Sequence, residues 1–246
     1  EEAAEVIARE RPRLVILGAS FIPFPHPTEQ ISKVCLETGS MLAYDGSHVL
    51  GLIAGGAFQQ PLKEGARVLV GSTHKSLFGP QGGIITSFRS EAERIKQTIF
   101  PAIVDNAHWN RIAALAQALL EVRRFGSRYA RQVICNSRAL AEGLDDVGVP
   151  VRCREYGYTA SHQVLLDMDR LKDANEVPQR LQEANIIVDI GIRLGTSEVT
   201  RRGMREKEMN AIADMIGGVI SGRENPRKVK KRAITLARRF SRIRYA

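Results

Sequence analysis

The chain has 246 residues, of which 43% are hydrophobic and 26% charged. This is the composition of an ordinary globular protein with room for one large domain or two modest ones. No run of about 18 apolar residues occurs, so no transmembrane helix is expected. Cys35, Cys135 and Cys153 are widely spaced and form no CxxC pair; they point away from zinc and disulfide chemistry and read as buried, reduced thiols of a cytoplasmic protein. The formal charge of +9 belongs to one segment: Arg223 to Ala246 holds ten basic residues and one acid, Glu224, and the rest of the chain is balanced.

The start, Glu1-Glu-Ala-Ala-Glu-Val-Ile-Ala-Arg, is acidic and amphipathic. It lacks a basic region followed by an apolar core, so it is not read as a secretory signal. Helices are expected over 3–10 and over 28–38, the latter with Thr28 as N-cap. Strands are expected over 13–18, 41–45, 66–71 and 82–87, the first of them buried. Short apolar runs between helices imply a mostly parallel sheet covered on both faces. Residues 107–145 have helical spacing, with a bend and a domain boundary at Gly126. That boundary gives domains 1–126 and 127–246. The second is expected to be a smaller α+β domain, with strands over 151–154, 163–167 and 186–190 and helices over 175–184, 205–221 and 228–241. The cationic C-terminus has an apolar stripe (Val229, Ala233, Ile234, Leu236, Ala237, Phe240), which predicts a docked amphipathic helix. Aromatic interleaving is absent there, and no nucleic-acid or membrane partner is expected.

Ligands of such sheets bind beyond the carboxyl ends of the strands. Ser20, Asp45 and Lys75 all follow strands. The run Val68-Leu-Val-Gly-Ser-Thr-His-Lys75 is an apolar strand entering a polar turn that ends in one lysine. The glycine-rich return Gly79-Pro-Gln-Gly-Gly83 comes after it. A P-loop places its lysine after the glycines, so nucleotide binding is disfavoured. A lysine and a carboxylate at neighbouring strand ends suit pyridoxal phosphate: the amine condenses with the aldehyde, and the acid keeps the pyridine nitrogen protonated. His26, His108 and His162 have no metal-ligand spacing, and no metal is expected.

The segment Tyr44-Asp-Gly-Ser-His-Val-Leu-Gly-Leu-Ile-Ala-Gly-Gly56, the Thr73-His-Lys75 turn and Gly191-Ile-Arg193-Leu-Gly195-Thr-Ser-Glu-Val-Thr200-Arg-Arg-Gly-Met204 together resemble the serine hydroxymethyltransferase family of fold-type I pyridoxal-phosphate enzymes. The resemblance runs along essentially the whole chain and matches the latter part of a family member. It implies an α/β large domain, N-terminally incomplete, followed by the small domain. It also implies that Lys75 binds the cofactor aldehyde and Asp45 pairs with the ring nitrogen. Ser20 reaches the phenolic oxygen, Ser47 takes the place of an alanine on the ring face, His74 lies by the phosphate, and Thr73 is a further cofactor-binding residue. His48 stands near cofactor and substrate, and Arg193 binds the substrate carboxylate, a task suited to a planar two-pronged donor.

The implied reaction is interconversion of serine and glycine by Cα–Cβ cleavage, with one-carbon transfer to tetrahydrofolate, in a cytoplasmic homodimer. Two departures bear on folate. Asp105-Asn106 replaces a glycine pair that in the family reaches the neighbouring subunit's phosphate. Only Asp189-Ile190 joins Val188 to Gly191, where the family has a long pterin-contacting loop. A folate-independent β-hydroxy-α-amino acid aldolase or threonine-type transaldolase is the alternative. A further alternative is an inactive fragment that needs an N-terminal portion.

Overall fold

A computed structural model describes residues 2–190 and 193–245. The chain divides into two compact units, Glu1–Ser127 and Arg128–Ala246.

In the first unit, α1 (Glu2–Glu10), β1 (Leu14–Leu17), α2 (Thr28–Thr38), β2 (Met41–Asp45), α3 (Leu50–Ala54), β3 (Val68–Ser72), β4 (Gly83–Ser87) and α4 (Arg89–Ile99) precede the long helix α5 (Trp109–Asp146). The sheet order is β1-β2-β3-β4. The first three strands run parallel, and β4 returns antiparallel on β3, with Gly71 opposite Ile84. The parallel strands therefore end on the same sheet edge, where Asp45 and the turn after β3 lie.

Leu42, Tyr44 and Leu69 point into the core. Burial of such side chains contributes about 1.5–3 kcal/mol each. The expected burial of the 13–18 strand is not observed: Leu14 is 50% and Ile16 62% exposed, because β1 is an edge strand of this sheet. Thr28 is not the N-cap of α2; Pro27 occupies that position, and the Thr28 hydroxyl is drawn inward by Gln59. Gln59 is a polar hub. Its Oε1 accepts from the Tyr44 hydroxyl at 2.7 Å and from the His26 N–H at 2.8 Å, and its Nε2 donates to Thr28 Oγ1 at 2.8 Å. The segment between β1 and α2 is thereby tied to β2.

Gly126 does not bend α5, which is continuous across it. The nearest atoms to a Cβ placed there are Val122 Cγ1 of the same helix at 3.1 Å and the Gly55 Cα at 3.6 Å, the latter an ordinary van der Waals contact. Among the cysteines only Cys35 is buried, whereas Cys153 is half-buried and Cys135 exposed. The periodicity of a helix as long as α5 leaves some small residues such as Cys135 on its outer face.

The second unit holds the rest of α5, then β5 (Gln163–Leu165), α6 (Val177–Glu183), β6 (Arg193–Gly195), α7 (Ser197–Arg201), α8 (Glu206–Ile220) and α9 (Pro226–Arg239). β5 and β6 pair antiparallel. The expected strand over 186–190 does not form. Ile186 and Val188 pack on the core while Ile187 is 85% and Ile190 84% exposed, and the segment finds no strand partner among the described residues. The expected 151–154 strand is reduced to one bridge, Val151 to Leu166, followed by a 3-10 turn. Among the described residues no helix is long and apolar enough to cross a membrane, and no cluster could hold a metal ion. α9 is capped by Asn225, whose side chain accepts from the Arg227 N–H at 2.9 Å. It buries Val229 and lays Ala233 and Leu236 on the unit's core, with Phe240 just beyond it.

Asn136, fully buried on α5, organises this unit. Its Nδ2 donates to Thr200 Oγ1 at 2.8 Å and to the Met204 carbonyl at 2.9 Å. Thr196 adds a bond to the Val133 carbonyl at 3.1 Å. Asn136→Ala leaves a buried carbonyl unpaired and is expected to cost about 2 kcal/mol, read as a lower urea midpoint.

Candidate active site

The turn after β3 is closed by its own backbone. The Thr73 N–H donates to the Gly82 carbonyl at 2.9 Å, and the Gly79 N–H returns to the Thr73 carbonyl at 2.6 Å. The buried Thr73 hydroxyl donates to the Pro80 carbonyl at 2.5 Å, so this side chain braces the turn from within. Phe78 adopts a left-handed φ of 55°, a conformation held against a cost of about 1–3 kcal/mol for a bulky residue. The exposed ring of His74 accepts the Gly82 N–H on Nδ1 at 3.3 Å. That bond makes Nε2 the protonated nitrogen and leaves it as a donor.

The loop after β2 is fixed against this turn. Asp45 Oδ1 accepts the Ser47 N–H at 2.9 Å, a local turn that carries the chain past His48 into α3. Gly51 of α3 lies directly on the Ser76-Leu77 peptide, and any side chain at Gly51 would overlap the Ser76 carbonyl. The Ser76 hydroxyl receives the Gly51 N–H at 3.0 Å in a buried bond. Lys75 Nζ is consequently set 3.3 Å from His48 Nε2. Among the described residues no acid pairs with Lys75, so its amine faces an imidazole rather than a carboxylate.

Asp45 is half-buried, and its Oδ2 has no hydrogen-bond donor among the described residues. Gly18, one residue past β1, admits it: a Cβ on Gly18 would lie 2.7 Å from the Asp45 Cβ. Ser20 is exposed three residues beyond β1, and Ser47 is half-buried in the loop between Asp45 and His48. The first unit thus gathers a solvent-accessible amine, an imidazole and a carboxylate with an open oxygen on one sheet edge. That donor set fits an aldehyde-bearing aromatic cofactor with a protonated ring nitrogen.

Arg193 belongs to the second unit, at the start of β6. The first two residues of its motif, Gly191 and Ile192, lie outside the described residues. The Arg193 guanidinium meets Asp189 Oδ2 at 3.1 Å, and its backbone N–H meets Asp189 Oδ1 at 2.9 Å. Arg193 also lines an apolar cavity of about 250 Å³, together with Leu194, Val199, Met209, Ile212 and Leu236. Gly51, Ser76 and Asp189 were not singled out from the sequence. Their only signal is a glycine three residues past His48, a serine after the lysine and an acid four residues before the arginine.

The serine hydroxymethyltransferase family profile matches residues 1–216. The serine hydroxymethyltransferase of Korarchaeum cryptofilum is 46% identical over 264 residues, covering 100% of this chain and 61% of the relative. That of Methanocella arvoryzae is 44% identical over 250 residues, covering 96% of this chain and 59% of the relative. The chain therefore spans about three fifths of the length of these relatives. A crystal structure of L-threonine transaldolase from Pseudomonas fluorescens, in its internal aldimine state, superposes with a TM-score of 0.90 at 30% identity, over 100% of this chain and 59% of that one.

The Gly51–Ser76 contact makes a sharp mutational contrast. Gly51→Ala forces backbone apart and is expected to cost about 2–3 kcal/mol. Ser76→Ala removes one buried bond and should cost about 1–2 kcal/mol. Urea denaturation of the two variants checks both values and their order.

Proposed function

The chain belongs to the serine hydroxymethyltransferase family, and on that premise we propose that it carries the lysine side of a pyridoxal-phosphate site that interconverts serine and glycine with tetrahydrofolate as one-carbon acceptor. The family and the transaldolase likeness make the fold the α/β fold of the fold-type I enzymes. The observation that carries the reading is the Lys75 amine, 3.3 Å from His48 and free of any acid among the described residues, on a braced turn that follows the strand paired with the one ending at Asp45.

Pyridoxal phosphate, when bound, supplies the electron sink for charge developing at the substrate Cα. The remaining roles belong to side chains of this chain. Lys75 would hold the cofactor aldehyde, Asp45 the ring nitrogen, and Ser47 would lie by the ring. Ser20 would serve the phenolic oxygen and His74 the phosphate, with Thr73 bracing the turn beneath. His48 takes and returns a proton beside Lys75 and the substrate. Arg193 receives the substrate carboxylate on its guanidinium fork. A homodimer is part of the proposal. It is supported by large apolar side chains left exposed in the first unit: Phe100 58%, Ile103 74%, Trp109 76%, Ile112 51% and Leu120 60%. The three free thiols accord with the reducing cytoplasm as its compartment.

A second reading, a folate-independent aldolase or threonine-type transaldolase acting on β-hydroxy amino acids, has its own support. The structural likeness is to an L-threonine transaldolase, the link before Arg193 is reduced to Asp189-Ile190, and Asp105-Asn106 stands in place of a glycine pair. Serine cleavage with and without tetrahydrofolate, set against threonine cleavage without it, separates the two. Strict dependence on folate removes the second reading.

Addition of pyridoxal phosphate to the folded chain is expected to give a visible absorption band that borohydride bleaches, with the cofactor then found covalently on Lys75. Lys75→Ala is expected to give no such band. A folded chain without the band overturns the reading for this chain on its own. Arg193→Lys loses the two-pronged contact and is expected to raise KM for serine by about 10- to 100-fold, with a smaller change in kcat.

A further inference from the structure

The Arg193 guanidinium is already held by a carboxylate. Asp189 uses both of its oxygens on this one residue, Oδ1 on the backbone N–H at 2.9 Å and Oδ2 on Nη2 at 3.1 Å. A carboxylate oxygen on Nη2 occupies one of the donor positions that the α-carboxylate of an amino acid would take on the guanidinium fork. We infer that Asp189 is an internal competitor for the substrate carboxylate, a specificity-determining residue that sets how strongly an amino acid must bind to take Arg193. This inference rests on the proposed role of Arg193 as the carboxylate anchor.

Two features support competition. First, the acid is tethered. Asp189 lies four residues before Arg193, and a group on so short a link has an effective concentration in the millimolar range or above, on the scale at which free amino acids bind. Second, the pair is displaceable. The side chains of Arg193 and Asp189 are 25% and 40% exposed, and a partly hydrated ion pair of this kind is worth little. Displacement then weakens carboxylate binding by a modest factor, about threefold to tenfold, rather than blocking it. The effect falls only on ligands that present a carboxylate. An amine without one does not need Arg193 and meets no competitor.

The test uses the full chain and needs no catalysis. The Arg193 Nε–H signal, identified by its loss in Arg193→Lys, is followed by heteronuclear NMR during titration with glycine, sodium acetate and methylamine. Asp189→Asn keeps the shape and the acceptor for the Arg193 backbone N–H while removing the charge, and Asp189→Ser is a second variant should the first be poorly folded. The expected result is that glycine and acetate bind about threefold to tenfold tighter in Asp189→Asn, with methylamine producing no response in either protein. Equal affinities in wild type and variant overturn the competition and leave the anchor role of Arg193 standing. Weaker carboxylate binding in the variant also overturns it, and makes Asp189 a residue that positions the guanidinium. An Arg193 signal that answers neither glycine nor acetate in any of these proteins rejects the anchor role itself, and the inference with it.

Discussion

The close approach of Gly51 to the Ser76-Leu77 peptide is the constraint on which the candidate site depends. Two strand-end loops are ordinarily free to move independently. Here α3 rests on the turn after β3 with no side chain between them, and the Ser76 hydroxyl takes the helix's own N–H. His48 precedes that contact by three residues, and Lys75 precedes Ser76 by one. A single buried contact therefore brings together the loops that carry an imidazole and an amine 27 residues apart in sequence. Preorganisation of this kind lets reactive groups meet a ligand without a cost of ordering loops at the moment of binding.

The two basic groups most relevant to the chemistry sit in opposite electrostatic settings. Lys75 faces an imidazole, and its amine carries no competing carboxylate among the described residues. Arg193 faces Asp189 through both a side-chain and a backbone bond. In its proposed role as a carboxylate anchor, the guanidinium tolerates a resident carboxylate that is weak enough to leave. Asp45 lies between these extremes: one oxygen is tied down by the Ser47 N–H, which fixes the carboxylate plane, and the other is open.

Much of the architecture was legible because the hydrophobic periods are strong. The runs Met41–Asp45 and Val68–Ser72 are apolar and flanked by turn residues, so their strand character and the placement of Asp45 and Lys75 at their ends could be read directly. The amphipathic stripe of α9 was equally plain. The errors have physical causes. The Leu14–Leu17 run is apolar enough to suggest burial, yet an edge position leaves Leu14 and Ile16 exposed. Residues 186–190 have strand composition but find no partner among the described residues to complete a ladder, and a strand exists only in pairing. Gly126 looked like a hinge, whereas the hydrogen-bonded helix α5 runs through it without a break. The short α3 was not expected, because a helix of five residues leaves too few positions to show a period; α4 was not expected either, and it is a polar helix with no buried residue to mark an apolar face.

By itself the sequence determined the alternation of elements, the chemistry available at the strand ends and, through its motifs, the family. Those properties are local: they depend on which residue type occurs at which spacing. Tertiary structure alone decided that Gly51 meets Ser76, that Thr73 turns inward to brace its own loop, and that Asp189 reaches back to Arg193. Each is a contact between groups whose separation in sequence carries no period and whose approach is set by close packing and by the need to pair buried polar atoms.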